Sequence, residues 1–125
     1  MATSTAAFEI SPSCFGEERA PFLSPRRVAE LLGVNTTELA GLTGLARNTL
    51  AAESGARKVD AALSPIVRIL AMAGEMAGDE HRAAIWFKHQ PIPGWAGKTA
   101  YDLVREGKTD MVLAYLEAVR SGIYA

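Results

Sequence analysis

An all-α fold, a small helix-turn-helix bundle followed by a second helical module, is predicted by three observations on this 125-residue chain. Apolar residues recur at helical spacing in nearly every segment beyond residue 22. Ser, Asn, Asp or Thr stands in front of most of those segments and Gly stands behind them. No segment alternates with the period of two that a half-buried strand requires. Because many of the helices are short, tertiary packing has to supply most of their stability.

Residues 1–22 form an N-terminal arm rich in Ser, Thr, Ala, Pro and Gly, with Phe8, Ile10 and Phe15 scattered through it and no sustained period. Its apolar residues leave docking on the body or on a partner open. Residues 23–60 read as the first domain. Ser24-Pro25 is an N-cap with proline at the first helical position, where its missing amide costs nothing. Val28, Leu31 and Leu32 make the stripe and Gly33 the stop. Asn35 with Glu38 three residues on is a capping-box start, with Leu39, Ala40 and Leu42 facing inward. A turn at Gly44-Leu45-Ala46 leads to a third helix, predicted over 47–53.

The string ELAGLTGLARNTLAAESG resembles the helix-turn-helix of the Xre class of DNA-binding domains. In that resemblance Arg47, Asn48 and Thr49 take the first turn of the recognition helix, where side chains meet base edges. Arg26, Arg27, Arg57 and Lys58 are the candidates for phosphate contacts. The competing reading is a helix-turn-helix retained as a scaffold or for dimerisation, with these cations on a solvated face. Ala46 in place of a capping Ser or Thr, and the nearby acids Glu30, Glu38 and Glu53, favour that reading.

Residues 61–125 read as the second domain. Ser64-Pro65 repeats the helix-start signal, and Ile66, Ile69, Leu70, Ala73, Met76 and Ala77 follow on one face, the expected centre of the core. Met72 and Met76 fit core filler better than a ligand groove. Gly78 is the stop and Asp79 the next cap. Ala83, Trp86 and Phe87 carry the stripe to the Pro91-Ile92-Pro93-Gly94 break, with Trp86 expected as the buried anchor. Thr99 and Asp102 cap a short helix bearing Ala100, Leu103 and Val104, which Gly107 ends. Thr109 is the expected cap of the last helix, which carries Val112, Tyr115, Leu116 and Val119 and stops at Gly122.

From Trp86 onward this order resembles the C-terminal toxin-binding domain of the Xre, MbcA and ParS antitoxins. The matching residues are Trp86, Pro91, Gly94, Thr99, Leu103, Val104, Gly107, Val112, Leu116, Val119 and Gly122. Ala100 stands where such domains often carry Pro, and Gln90-Pro91-Ile92 replaces a Pro-Asn pair; neither change removes a cap or an apolar anchor. The resemblance implies the antitoxin of a type II toxin-antitoxin system. Its partner would be a toxin with a RES domain, an NAD-consuming or ADP-ribosylating enzyme whose active-site cleft it blocks. It further implies a homodimer within a hetero-oligomeric complex and autorepression of the shared promoter. A stand-alone Xre-type transcriptional regulator, whose C-terminal module only dimerises, is the alternative. An adaptor that binds neither DNA nor toxin is a third reading.

The chain's end offers a physical means of inhibition. Ile123, Tyr124 and the terminal carboxylate of Ala125 follow Gly122 on a short tether. A carboxylate beside an aromatic ring mimics part of an anionic dinucleotide. The candidate toxin-binding residues are therefore Trp95, Lys98, Arg120, Gly122, Ile123, Tyr124 and Ala125. The plainer reading closes Ile123 and Tyr124 onto the core against Trp86.

Composition excludes several other classes. The formal net charge is −1 and neither half is basic, so any DNA contact has to come from a local patch. A lone cysteine, Cys14, forbids an internal disulfide, and with no long apolar run or secretion signal the chain is expected to be cytoplasmic and off the membrane. His81 and His89 have no Cys or paired carboxylate spaced to complete a metal site. Gly97-Lys98-Thr99 ends like a phosphate loop, but that loop's leading glycine is missing, and no strand precedes it. No nucleophile comes with a base and an oxyanion group, so neither enzymatic activity nor a cofactor is expected.

Overall fold

The computed structural model describes residues 22–122. Readings on Phe8, Ile10, Cys14 and Phe15 of the arm, and on Ile123, Tyr124 and Ala125, lie outside the described residues. The fold is all-α: α1 Pro25–Leu32, α2 Thr36–Thr43, α3 Arg47–Ala51, a 3-10 turn Glu53–Gly55, α4 Ala56–Ala77, α5 Glu80–His89, α6 Ala100–Arg105 and α7 Thr109–Arg120. An isolated antiparallel bridge pairs Pro91 with Thr99.

The helix ends follow the local code. The Ser24 hydroxyl accepts the Arg27 amide at 3.3 Å, and the Asn35 carboxamide accepts the Glu38 amide at 2.8 Å while Glu38 accepts back from the Asn35 amide at 2.9 Å. Asp79 accepts the Arg82 amide at 2.7 Å. Each supplies an acceptor to an amide that the first helical turn leaves orphaned. At the other end, Gly33, Gly44 and Gly78 all take positive φ, the conformation that lets the last carbonyls find donors.

Three expected boundaries move. Helix α4 begins at Ala56 and runs through Ser64-Pro65, so that pair is a helix interior and not a start. Proline there forfeits the bond to the Ala61 carbonyl. The helix persists because Val59 and Leu63, upstream of the proline, are buried on the same stripe as Ile66, Leu70 and Ala73. Helix α3 stops at Ala51 and not at Glu53: Leu50 is its one buried residue and Ala52 is extended at ψ 133, so further turns would bury nothing. Lys108, not Thr109, holds the N-cap position of α7, without a side-chain cap. The cause is the tight close of α6, where the Gly107 amide donates to Val104 and the Lys108 amide to Leu103 at 2.8 Å.

One hydrophobic core runs from Leu23 to Leu116 through every helix, with α4 at its centre. Helices α4 and α5 meet at Gly78-Asp79 with a bend of 111°, which lays α5 back over α4 and against α1. Helix α2 packs on α6, so α1 and α2 share a core with the C-terminal elements. Sequence periodicity misplaced two large residues. Phe87, with no exposed surface, is the buried aromatic of α5, whereas its neighbour Trp86 is half-buried; Met76, expected as filler, is 40% exposed. Among the described residues no single helix is long and apolar enough to cross a membrane.

Candidate functional site

The loop between α5 and α6 is built around Ile92, which is buried and whose amide donates to the Lys98 carbonyl at 2.8 Å. The Trp95 amide donates to Ile92 and the Lys98 amide to Trp95, so the loop closes on itself. Gly94, Ala96 and Gly97 all take positive φ there. Ala96, at φ 56, pays the steric cost that its glycine neighbours avoid. Thr99 then ends the loop as a cap: its hydroxyl accepts the Asp102 amide at 3.2 Å, and Asp102 accepts the Thr99 amide at 3.1 Å. The Gly-Lys-Thr string is thus the end of a loop and the start of a helix.

Lys98 projects toward the α6–α7 turn. Its ammonium lies 2.8 Å from both carboxylate oxygens of Glu106. The Lys108 ammonium is 3.7 Å from the same carboxylate and 5.7 Å from the centre of the half-buried Trp95 ring. The hydrogen bond from Lys98 is the main cause holding the Glu106 carboxyl below its ordinary range. Glu106 and Lys108 were absent from the sequence-based candidates. The signal available was the charge pattern Lys98, Glu106, Lys108 flanking Gly107, which only the turn brings together.

Of the expected toxin-binding residues, Trp95 and Lys98 stand at the start of α7, while Arg120 and Gly122 stand at its end. The helix is 12 residues long, so about 18 Å separates the two groups. Arg120 is exposed and pairs with Glu117 at 3.6 Å. Beside it opens a groove of about 180 Å³ lined by Ala73, Met76, Ala77, Trp86, Tyr115, Leu116 and Val119. Here the half-buried Trp86 and the exposed Met76 meet across three helices.

At the other end of the molecule, Arg47 and Asn48 are exposed on α3 and, with Thr36, Ala46 and Ala51, line an open hollow. Arg26 on α1 lines an adjoining furrow that shares Thr36 and Ala51. Thr49 is half-buried. Arg57 and Lys58 are exposed in the first turn of α4, where the Arg57 guanidinium sits 6.0 Å from the centre of the Phe22 ring. Asp60 accepts the Leu23 amide at 2.7 Å, tying the chain before α1 to that same turn. Arg26, Arg47 and Asn48 thus border one surface, while Arg57 and Lys58 belong to the α4 end.

Residues 72–122 match the family model of the antitoxin Xre/MbcA/ParS C-terminal toxin-binding domain. The matched segment starts inside α4 and takes in α5, the Trp95 loop, α6 and α7, so the groove and the Lys98–Glu106–Lys108 cluster both lie within it. Neither a curated protein nor a solved structure matches the chain.

Proposed function

We propose that this protein is the antitoxin of a type II toxin-antitoxin pair and that it acts by binding, not by catalysis. The match of residues 72–122 to an antitoxin toxin-binding domain carries this reading. The partner, in this proposal, is a RES-domain toxin that consumes NAD or transfers ADP-ribose. The last three residues, Ile123, Tyr124 and Ala125, enter its cleft. There the Tyr124 phenol and the apolar Ile123 meet aromatic and polar groups that otherwise hold a dinucleotide. Arg120 and Gly122 root that tail. Trp95 and Lys98, at the far end of α7, form a second contact.

The helix-turn-helix-like segment adds autorepression to the proposal, with Arg47, Asn48 and Thr49 facing bases and Arg26, Arg27, Arg57 and Lys58 facing phosphates. A homodimer would set two such segments on a palindrome. The alternative, a stand-alone Xre-type regulator, draws on the exposure of Arg26, Arg47 and Asn48 around one surface. Salt-dependent binding to its own promoter without a toxin partner would favour that alternative.

The deciding experiment expresses the adjacent open reading frame with and without this chain while growth and cellular NAD are followed. Growth arrest relieved by the chain, with a stable complex on purification, is the expected outcome. Deleting Ile123 to Ala125 should restore toxicity while leaving the fold intact. Inhibition that survives the deletion at unchanged affinity would remove the tail from the mechanism.

A further inference from the structure

We infer that the groove at the end of α7, between Met76, Trp86, Tyr115 and Val119, seats a bulky apolar side chain of the toxin beside the mouth of its cleft. This rests on the antitoxin reading and adds to it a docking site separate from the tail.

Three observations carry the inference. The groove is lined entirely by residues of the 72–122 segment that matches a toxin-binding domain. The large hydrophobics most exposed among the described residues, Met76 at 40%, Ile85 at 50% and Met111 at 48%, all fall in that segment, and none falls in 22–71. Met111, Tyr115 and Val119 follow one another at four-residue steps on α7, so one apolar edge leads into the groove. Trp and Tyr concentrate binding energy at interfaces, and Met is enriched there.

Size and position select the occupant. About 180 Å³ is well below the roughly 300–1,000 Å³ typical of a small-molecule site. It suits a single protruding side chain instead. Gly122 lies three residues beyond Val119, so a partner that takes residues 123–125 into its cleft, as proposed, has the rim of that cleft within a few residues of this groove. A knob on that rim and the tail in the cleft would grip the toxin at two adjoining points.

The test uses the full chain and a catalytically silenced toxin from the adjacent gene, with affinity measured by calorimetry. Met76→Glu places a charge at the groove's exposed wall, and Val119→Trp fills it; helical content and thermal midpoint establish that both variants are folded. Each should weaken toxin binding by at least about tenfold, and Met76→Leu should bind like the parent. Parental affinity in both folded variants would overturn the inference. So would a loss of self-association at unchanged toxin affinity, which would assign the groove to a second copy. Cutting the chain after Gly122 gives a further arm. If Met76 then becomes more open to peroxide with no toxin present, the chain's own tail fills the groove and the inference falls. If the parent chain itself fails to bind the toxin, the antitoxin reading fails first, an outcome distinct from failure of the groove variants alone.

Discussion

The Lys88 ammonium on α5 donates to the Gly33 carbonyl at 3.0 Å, at the left-handed turn that closes α1. These residues are 55 apart in sequence, and their contact joins α1 to the matched C-terminal segment. Beneath it, α1 packs on α5, α2 packs on α6, and the buried residues of all of them form one cluster. The expected boundary between domains at 60/61 falls in the first quarter of the continuous helix α4. The first expected outcome is therefore a single cooperative unfolding transition. Amide signals from α1–α2 and from α6–α7 should disappear at the same urea concentration. Two separated transitions would show that the segments are independent. Lys88→Met should lower the unfolding free energy only slightly, by under about 1 kcal/mol, because the bond is solvent-exposed.

Phe87→Ala should cost about 3–5 kcal/mol, since Phe87 is fully buried and its ring packs edge-on against Tyr101 at 6.2 Å. That is a large share of the stability of a small domain. Trp86→Ala should cost clearly less, because part of the indole already faces the groove. Equal losses in chemical denaturation would mean that Trp86 is as deeply packed as Phe87.

Pro65→Ala should stabilise the protein, by at most about 3 kcal/mol, the difference between proline and alanine in a helix interior. The gain comes from returning an amide donor to the Ala61 carbonyl inside α4. Loss of the rigid proline from the unfolded chain will offset part of it. A lower thermal midpoint would indicate that the packing of α4 depends on the proline.

These contrasts indicate what a sequence can and cannot disclose. Ser24, Asn35, Asp79 and Thr99 were legible as caps because each needs only a partner three residues away. Gly33, Gly78 and Gly107 were legible as stops, and Gly44 as the start of a turn, because positive φ is a local requirement. Ser64-Pro65 carries the same local signature as Ser24-Pro25 and means something else, because burial of Val59 and Leu63 outweighs it. Helical periodicity identifies a face but resolves adjacent residues poorly, so it put Trp86 and Phe87 on one stripe without showing that Phe87 is the more deeply buried. The candidate site was legible only as a segment. The distance between Trp95 and Arg120, and the meeting of Met76, Trp86 and Tyr115, depend on how α4, α5 and α7 cross.

Glu106 supplies the pH-dependent prediction. Its carboxyl is held below the ordinary glutamate range, first by the hydrogen bond from Lys98; desolvation opposes this, and the charges of Lys98 and Lys108 add to the lowering. A carboxyl whose value is lowered on folding adds stability that is fully present above the unfolded-state value and is lost as pH falls through the lowered folded value. The window is therefore acidic, and neutral pH lies outside it. Because both side chains are partly exposed, solvent screens the pair and the effect on global stability is small. The informative readout is the site itself, the titration of the Glu106 side-chain carbonyl followed by NMR. The parent protein should titrate below an unperturbed glutamate, and Lys98→Met should move the midpoint upward. Lys108→Met should move it less, since Lys108 is 3.7 Å away where Lys98 is at 2.8 Å. If Lys98→Met leaves the midpoint unchanged, Lys98 and Glu106 do not pair in solution, and the Trp95 loop is not held to the α6–α7 turn by this contact.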